Sequence, residues 1–304
     1  MPNYFDSKIY KRKPIEILHE IPVFSSTDDY IENYKKIASD HVNAMEPGKD
    51  NPFIANELWE TLEQSTRVLL EKHISKGAKI LDVGVGLGRL LAPLNQFDRY
   101  GLDISLDYLQ VAKQQGIEVV FSKIEDMPYQ DNIFDAVVVC DVLEHVLDLN
   151  QCCKKIIQVL KPDGFLFVRV PLKEDLNPYL NDNLPYQYIH LRSFDVASLR
   201  LHFEKIFKMG FVEASSAAPY LQGSARLKVR FLPEQQIIAL REALTHLDQP
   251  APLLDKIAQL SEEEFINWIY EWRDMNYSDY QKIADYIIYG MDVNAIFKKK
   301  KILV

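Results

Sequence analysis

Three glycines alternate in Asp82-Val83-Gly84-Val85-Gly86-Leu87-Gly88, which continues the short apolar run Lys79–Asp82. A strand that runs straight into such a turn can bend tightly and bring its backbone against a ligand with no Cβ in the way. A helix beginning at about Leu87 would aim its free N–H groups at the same point. The spacing is Gly-x-Gly-x-Gly; the dinucleotide fingerprint Gly-x-Gly-x-x-Gly needs glycine at position 89, where this chain has Arg89. Asp103 ends the next apolar run, Tyr100-Gly101-Leu102-Asp103, 19 residues after Gly84. An acidic group at that distance can accept both hydroxyls of a ribose. The competing task for Asp103, capping the helix that follows, is open to Ser105 as well. Alone, the glycines also read as a tight turn without a ligand; joined to Asp103, they favour a nucleoside.

Those residues need a sheet beneath them. From about 56 to 232 apolar runs alternate with helical periodicity, the pattern of βα units on a parallel sheet. A helix carrying Leu58, Leu62, Val68 and Leu69 stops at Gly77. Strands are expected at Lys79–Asp82, Arg99–Asp103, Glu118–Ser122, Phe134–Cys140 and Phe165–Val170. Phe134–Cys140 is nearly all apolar, as for a central strand buried on both faces. Helices are expected from about Leu87, from Asp103 to Gly116, over Leu149–Leu160 and over Asp195–Lys208, and the third closes at Lys161-Pro162-Asp163-Gly164. Phe211–Ala217 and Arg226–Phe231 read as a final hairpin-like pair. Three segments follow. Residues 1–55, punctuated by Pro14, Pro22, Pro47 and Pro52, form a cap; 56–232 form the sheet domain, with an insertion over 172–192; 233–304 form a helical extension.

With the later pieces added, the pattern resembles a known family. Gly101-Leu102-Asp103-Ile104-Ser105, Ile124–Pro128, Asp131–Asp135, Val142-Leu143-Glu144-His145-Val146, Leu160–Gly164 and His190–Phe194 fall in order behind the glycine turn. The stretch from Ile80 to about Gly210 resembles the class I S-adenosylmethionine-dependent methyltransferases that act on small molecules. The resemblance implies a doubly wound, mostly parallel, seven-stranded Rossmann-like α/β sheet with an N-terminal cap and a C-terminal helical extension. It also implies S-adenosylmethionine as cofactor. Gly84, Val85 and Gly86 would line its methionine part, with Gly88 completing the loop and Asp82 beneath it near the cationic amino group. Asp103 would take the ribose hydroxyls, Ile104 would flank the adenine, and Ile124 would offer its N–H to the adenine edge. Cys140 and Asp141 would border the sulfonium end. Lys123 departs from the family, which commonly carries aspartate there to accept from the adenine amino group. A lysine only donates, so the contact falls to a neighbour such as Ser122 or Glu125. Val85 stands where cysteine or alanine is common.

Methyl transfer carries its activation in the sulfonium, so the protein chiefly aligns the acceptor and excludes water. A base is needed only where the acceptor must lose a proton. The catalytic candidates are His190 and Tyr188, in the insertion, and His145, just past the fourth strand; all lie near the sheet's carboxyl edge, where ligands bind in open α/β folds. His145 reads first as a histidine that holds its loop. His190 either bonds to backbone and fixes the insertion or takes the acceptor's proton. Glu144 is assigned to a short helical turn. The insertion reads as a lid, and Tyr4, Phe5, Tyr10, Phe24, Tyr30 and Tyr34 as a cap over the acceptor. From Pro233 the chain is expected to leave at the opposite edge, so that its loss would spare cofactor binding. There Trp268, Ile269 and Trp272 read as a packing or homo-oligomer surface, and Lys298–Lys301 as a solvated end.

Composition narrows the alternatives. The 304 residues carry 44 acidic against 35 basic groups, a net charge of -9, which argues against a broad nucleic-acid footprint. The three cysteines, Cys140, Cys152 and Cys153, build neither a disulfide framework nor a zinc spacing. No metal site is expected, and a reducing cytoplasm is the expected location. No apolar run approaches the roughly 18 residues of a membrane span, and Met1–Lys13 lacks the pattern of a signal peptide. The expected partner is a small-molecule methyl acceptor, with neither nucleic acid nor membrane. Two competing readings remain: a nicotinamide-dependent oxidoreductase, disfavoured by Arg89, and a catalytically silent scaffold of methyltransferase-like fold, kept open by Lys123 and the aromatic tail.

Overall fold

Ala136, Val137, Val138 and Val139 are all buried, because the apolar run Phe134–Cys140 is the central strand of a sheet covered on both faces. The computed structural model describes residues 6–44, 56–181, 183–221 and 288–301, with isolated positions between 247 and 279. The strands are β1 (Glu16–Leu18), β2 (Ile21–Val23), β3 (Lys79–Val83), β4 (Asp98–Asp103), β5 (Glu118–Phe121), β6 (Phe134–Cys140), β7 (Leu160–Pro171), β8 (Gly210–Leu221) and β9 (Ile288–Lys298). The helices are α1 (Asp29–Ala44), α2 (Asn56–His73), α3 (Leu106–Gln114), α4 (Leu149–Val159) and α5 (Val196–Arg200).

The nine strands form one sheet in the order β1-β2-β5-β4-β3-β6-β7-β9-β8, and the run from β5 to β7 is parallel. The doubly wound α/β class is therefore as expected. The chain steps outward from β3 through β4 to β5, then returns to lay β6 on the other side of β3. That reversal leaves a crevice at the carboxyl ends of β3 and β6. Period-two alternation divides the strands between two cores. Leu81, Val83, Val137 and Val139 pack with Cys152, Cys153 and Ile156 of α4. Ile80, Ala136 and Val138 pack with Leu69 and Leu70 of α2 and Leu109 of α3.

Several expectations are corrected. Among the described residues the sheet has nine strands rather than seven because β1 and β2 add a hairpin beyond β5, where Val23 pairs parallel with Phe121. Its turn, His19-Glu20, holds two successive left-handed residues, the geometry that suits two-residue hairpins. No helix forms from Leu87; residues 84–97 run in turns. Pro93 has no N–H to give the Arg89 carbonyl, which takes Arg67 Nη1 instead at 3.2 Å. The helix from Asp195 is α5 followed by a π-helical turn, Leu201–Ile206. Tyr10 and Phe24 cover no acceptor: they are buried against Tyr129 and each other beside β5. Tyr4, Phe5 and the expected strand Arg226–Phe231 lie outside the described residues. The partner of β8 is β9, which also lies against β7.

The chain divides into two compact units, Met1–Ser215 with Val293–Val304, and Ser216–Asp292. Within the second, most described positions from 253 to 279 are helical and Trp268 is buried; Ile269 and Trp272 are not described. Residues 288–298 were expected in the helical extension and are strand instead. Val293, Ala295 and Phe297 of β9 belong to the main core. Lys299 is not a solvated end: its Nζ donates to the carbonyls of Ile157 (2.8 Å) and Leu160 (2.6 Å) and to Asn132 Oδ1 (2.9 Å). Among the described residues, no helix is long and apolar enough to cross a membrane.

A chain cut at residue 232 therefore loses an interior strand, not a dispensable tail. Removing three core side chains and a ladder between β7 and β8 exceeds the stability of an ordinary domain. The truncated chain is expected to lack a cooperative thermal transition by circular dichroism. A sharp transition near that of the full chain would contradict the placement of β9.

Candidate functional site

The crevice is floored by the glycine turn. Gly84 and Val85 both donate to the Leu102 carbonyl, at 2.7 and 3.1 Å, which ties the loop to β4. Val85 is buried on Gly101, where a Cβ would meet its Cγ1 at 2.8 Å, so residue 85 is a packing position as its steric role suggested. Gly88 also packs: a Cβ there would meet Ile117 Cδ1 at 2.7 Å. Gly86 differs, since a Cβ there would have nothing within 4 Å, and its N–H donates to Asp103 Oδ2 at 2.9 Å.

Asp103 is at the carboxyl end of β4, and its other oxygen accepts from the N–H groups of Ile104 (2.7 Å) and Ser105 (2.9 Å). The capping task has gone to Ser105, whose hydroxyl accepts from Tyr108 N of α3. Burial pushes the Asp103 carboxyl up to about 6, against the opposing effect of its three N–H donors. Two carboxylate oxygens with three donors still have accepting capacity.

Lys123 lies two residues past the end of β5. Its Nζ pairs with Asp28 Oδ2 at 2.7 Å, and Asp28 in turn caps α1 by accepting from Ile31 N. The lysine thus anchors the first helix. Its backbone N–H donates to Ser25 Oγ, and Ser25 donates to Asp126 Oδ2 at 2.8 Å. Ile124 follows, buried in the main core, and Ile104 packs against the opposite one.

The end of β6 is organised by a residue that spacing alone did not single out. Arg169 of β7 is 1% exposed and gives Nη2 to Asp141 Oδ2 at 2.7 Å, with Glu63 Oε1 of α2 at 3.4 Å from the same nitrogen. Its Nη1 reaches Thr66 Oγ1, and Thr66 donates to Asn294 Oδ1 of β9 at 2.8 Å. Asp141 sits in the left-handed region, φ 55°, with its N–H on the Arg169 carbonyl. Asp82 is buried nearby; burial first, then the Glu63 charge, hold its carboxyl well above the usual range, with Arg169 opposing. Burial likewise raises the Cys140 thiol, which marks it as unreactive. Arg169 sat in an ordinary strand run, Phe165–Val170; an arginine among buried residues was the signal available.

The acceptor candidates do come together. The rings of His145 and His190 lie 4.7 Å apart, edge to face. His145 Nδ1 bonds the Ile189 carbonyl, and His190 Nδ1 bonds Glu174 Oε2. Burial, then the neighbouring His190, push His145 down to about 4, so it is neutral at physiological pH. Its loop-holding role is thus met without excluding contact with a ligand. Tyr188, φ 54°, lies 5.7 Å from Tyr30, and its carbonyl accepts from Tyr34. The first helix is laced to the insertion: Asn33 and Gln187 exchange two hydrogen bonds, Lys36 reaches the Pro185 carbonyl, and Tyr186 donates to Asp40.

Residues 81–168 match a family model described as a methyltransferase domain. An uncharacterized protein of Methanocaldococcus jannaschii is 33% identical over 121 residues, 40% of this chain and 56% of that one. The mitochondrial ubiquinone biosynthesis O-methyltransferase of Bos taurus is 36% identical over 142 residues, 41% of this chain and 36% of the relative. The chain therefore spans about half, or less, of the length of these curated relatives. A structure of Haemonchus contortus phosphoethanolamine N-methyltransferase 2, bound to phosphomonomethylethanolamine and S-adenosylhomocysteine, superposes with a TM-score of 0.51 at 20% identity, over 91% of this chain and 61% of that one. At that identity the likeness is one of fold.

Gly84 and Gly86 can be told apart by alanine. Both have positive φ, 78° and 49°, so each substitution costs about 1–2 kcal/mol in backbone strain. Only at Gly84 does the new Cβ also collide with a side chain, Val142 Cγ2. Gly84→Ala is expected to lower the melting temperature several degrees further than Gly86→Ala. Equal losses in parallel thermal melts would contradict the geometry of the turn.

Proposed function

We propose that this chain, which belongs to the class I S-adenosylmethionine-dependent methyltransferase family, transfers a methyl group from S-adenosylmethionine to a small-molecule acceptor by in-line displacement. The observation that carries the reading is the pairing of Gly86 with Asp103 at the reversal of strand order. The glycine has clear space where a side chain would stand, and the carboxylate beside it retains accepting capacity. When bound, S-adenosylmethionine supplies a methyl group already activated by its sulfonium.

The residues of this chain then have separate tasks. Gly84, Val85 and Gly86 offer backbone to the methionine part, Asp82 lies beneath them near its cationic amino group, and Cys140 with Asp141 borders the sulfonium end. Asp103 accepts from the ribose, Ile104 flanks the adenine, and Ile124 offers its backbone N–H to the adenine edge. Lys123 takes no part in adenine binding and serves through Asp28 to seat α1. At the acceptor end, His145 and His190 hold their Nδ1 atoms on fixed partners and so keep Nε2 for the ligand. The Glu174 carboxylate orients His190, as the third member of a triad does. Tyr188 and its aromatic neighbours orient a hydroxyl or a ring. The laced pair of α1 and the insertion 172–192 is the cover that excludes water.

Asp103→Ala removes a charged acceptor, worth roughly 1.5–3 kcal/mol, and should weaken S-adenosylhomocysteine by about 10- to 150-fold in calorimetry. Because the raised carboxyl ionises only above about 6, affinity should also fall as pH drops through that value. The sign follows from the proton, which converts an acceptor oxygen into a donor. Asp103→Asn should abolish this pH dependence. Wild-type affinity in the alanine variant would remove Asp103 from the site.

His190→Gln should eliminate turnover while keeping S-adenosylhomocysteine affinity within about twofold. The opposite pattern, lower stability with full turnover in the folded fraction, would reduce His190 to a loop anchor.

A further inference from the structure

Glu144, His145 and His190 each bring one ligand atom within 4.8 Å of the other two, the one such group of metal-ligating side chains among the described residues. Sequence spacing hides it, because His190 comes from the insertion, 45 residues beyond His145. We propose that these three residues bind one divalent first-row transition-metal ion of the zinc, cobalt or iron type.

Three observations carry this. The donor set is two imidazoles and one carboxylate, which suits borderline ions and disfavours magnesium or calcium, whose sites are built from oxygen. His145 Nε2 already lies 3.8 Å from Glu144 Oε1, and bonds of 2.0–2.1 Å need tetrahedral ligands about 3.3 Å apart. The closure required is a small side-chain rotation. The shell behind the ligands is also that of a metal site. A ligating histidine characteristically gives its other ring nitrogen to a carbonyl or carboxylate, and here both kinds occur: His145 Nδ1 is on the Ile189 carbonyl and His190 Nδ1 is on Glu174. Nε2 is the atom each ring has left to ligate.

The backbone holds this arrangement independently of any ion. Leu191 N donates to the Glu144 carbonyl at 2.8 Å, and Arg192 Nη1 donates to the carbonyls of Leu143 (3.0 Å) and Val146, so the segment after β6 and the end of the insertion are clamped together. Glu144 is 1% exposed. A buried carboxylate is among the donors such an ion takes. Three protein ligands leave one position open, as in catalytic zinc sites. That position narrows the acceptor class to molecules with a hydroxyl beside the transferred methyl, whose proton leaves to water under the ion's charge. This narrowing rests on the methyl-transfer reading; the binding of the ion does not.

The full chain, stripped with a chelator and dialysed, should be titrated with cobalt(II) and zinc(II), with visible absorption read for cobalt and heat for both. One equivalent is expected to bind at micromolar concentration or below, with cobalt bands of four- or five-coordinate type, and magnesium should not compete at millimolar concentration. His190→Ala and Glu144→Gln should lose at least 100-fold in affinity, and Glu174→Gln 10- to 100-fold as a residue acting through His190. If Glu144→Gln does not fold, His190→Ala and Glu174→Gln decide the matter, since both lie in the insertion. No saturable binding by wild type, or binding unchanged in the His190 variant, would overturn the site. S-adenosylhomocysteine titrated in the same samples separates the two readings: nucleoside binding without metal removes only the ion, and metal binding without the nucleoside removes only methyl transfer.

Discussion

A guanidinium enclosed by the sheet has to be answered by carboxylates, and the rest of the architecture is arranged around that answer. Arg169 is buried in β7 and draws Asp141 from the end of β6 and Glu63 from α2 into contact with it. Breaking one partner of such a pair leaves an uncompensated charge, which is what makes these contacts costly to lose. The link continues through Thr66 to Asn294 of β9, and Asn294 Nδ2 returns to Ser65. One arginine therefore fixes the height of α2 over the sheet, the left-handed turn at Asp141, and the strand that enters between β7 and β8. The crevice at the switch point takes its polar wall from the same set.

The cover over that crevice is specified differently. Helix α1 touches the insertion mostly through side-chain bonds to main-chain atoms of 185–188. Bonds to backbone tolerate changes in the side chains that carry the loop, and surface bonds of this kind contribute about 1 kcal/mol each. The floor is thus rigid by charge burial, and the roof is held by several modest, separable contacts. Side chains of the roof can therefore change without disturbing the floor.

Much of this was legible in the sequence, and the reasons differ by element. The β-branched run at 134–140 and the apolar segments before and after the glycine turn had few other folds open to them, so β3 to β6 appear where expected, whereas β7 begins at Leu160 and takes in the expected turn Lys161–Gly164. Ser105 caps α3, as its position allowed, and Asp103 instead accepts from Gly86, Ile104 and Ser105. The failures have equally definite causes. Periodicity favoured a helix after Leu87, but Pro93 and the reach of Arg67 to the Arg89 carbonyl override it. Tyr10 and Phe24 read as part of a cap formed by a polar, aromatic segment; only the pairing of β2 with β5 places them inside. Lys123 read as a departure from the family pattern, and its ion pair with Asp28 on the segment before α1 was not visible in the sequence. The grouping of Glu144 with His145 and His190 required knowing where the insertion returns, and no local pattern encodes that.

The position of β9 has a consequence for how the molecule is made. Its neighbour β7 ends at Pro171 and β9 begins at Ile288, so the ladder between them closes a loop of more than a hundred residues. During synthesis, β3 to β7 leave the ribosome with one edge of the sheet unpaired, and β8 cannot take its final place until its partner has been translated. At roughly 5–20 residues per second, that gap lasts several seconds or longer. An open strand edge is a template for pairing with another nascent chain. Codon usage and chaperone occupancy across the stretch encoding 222–287 should therefore affect yield.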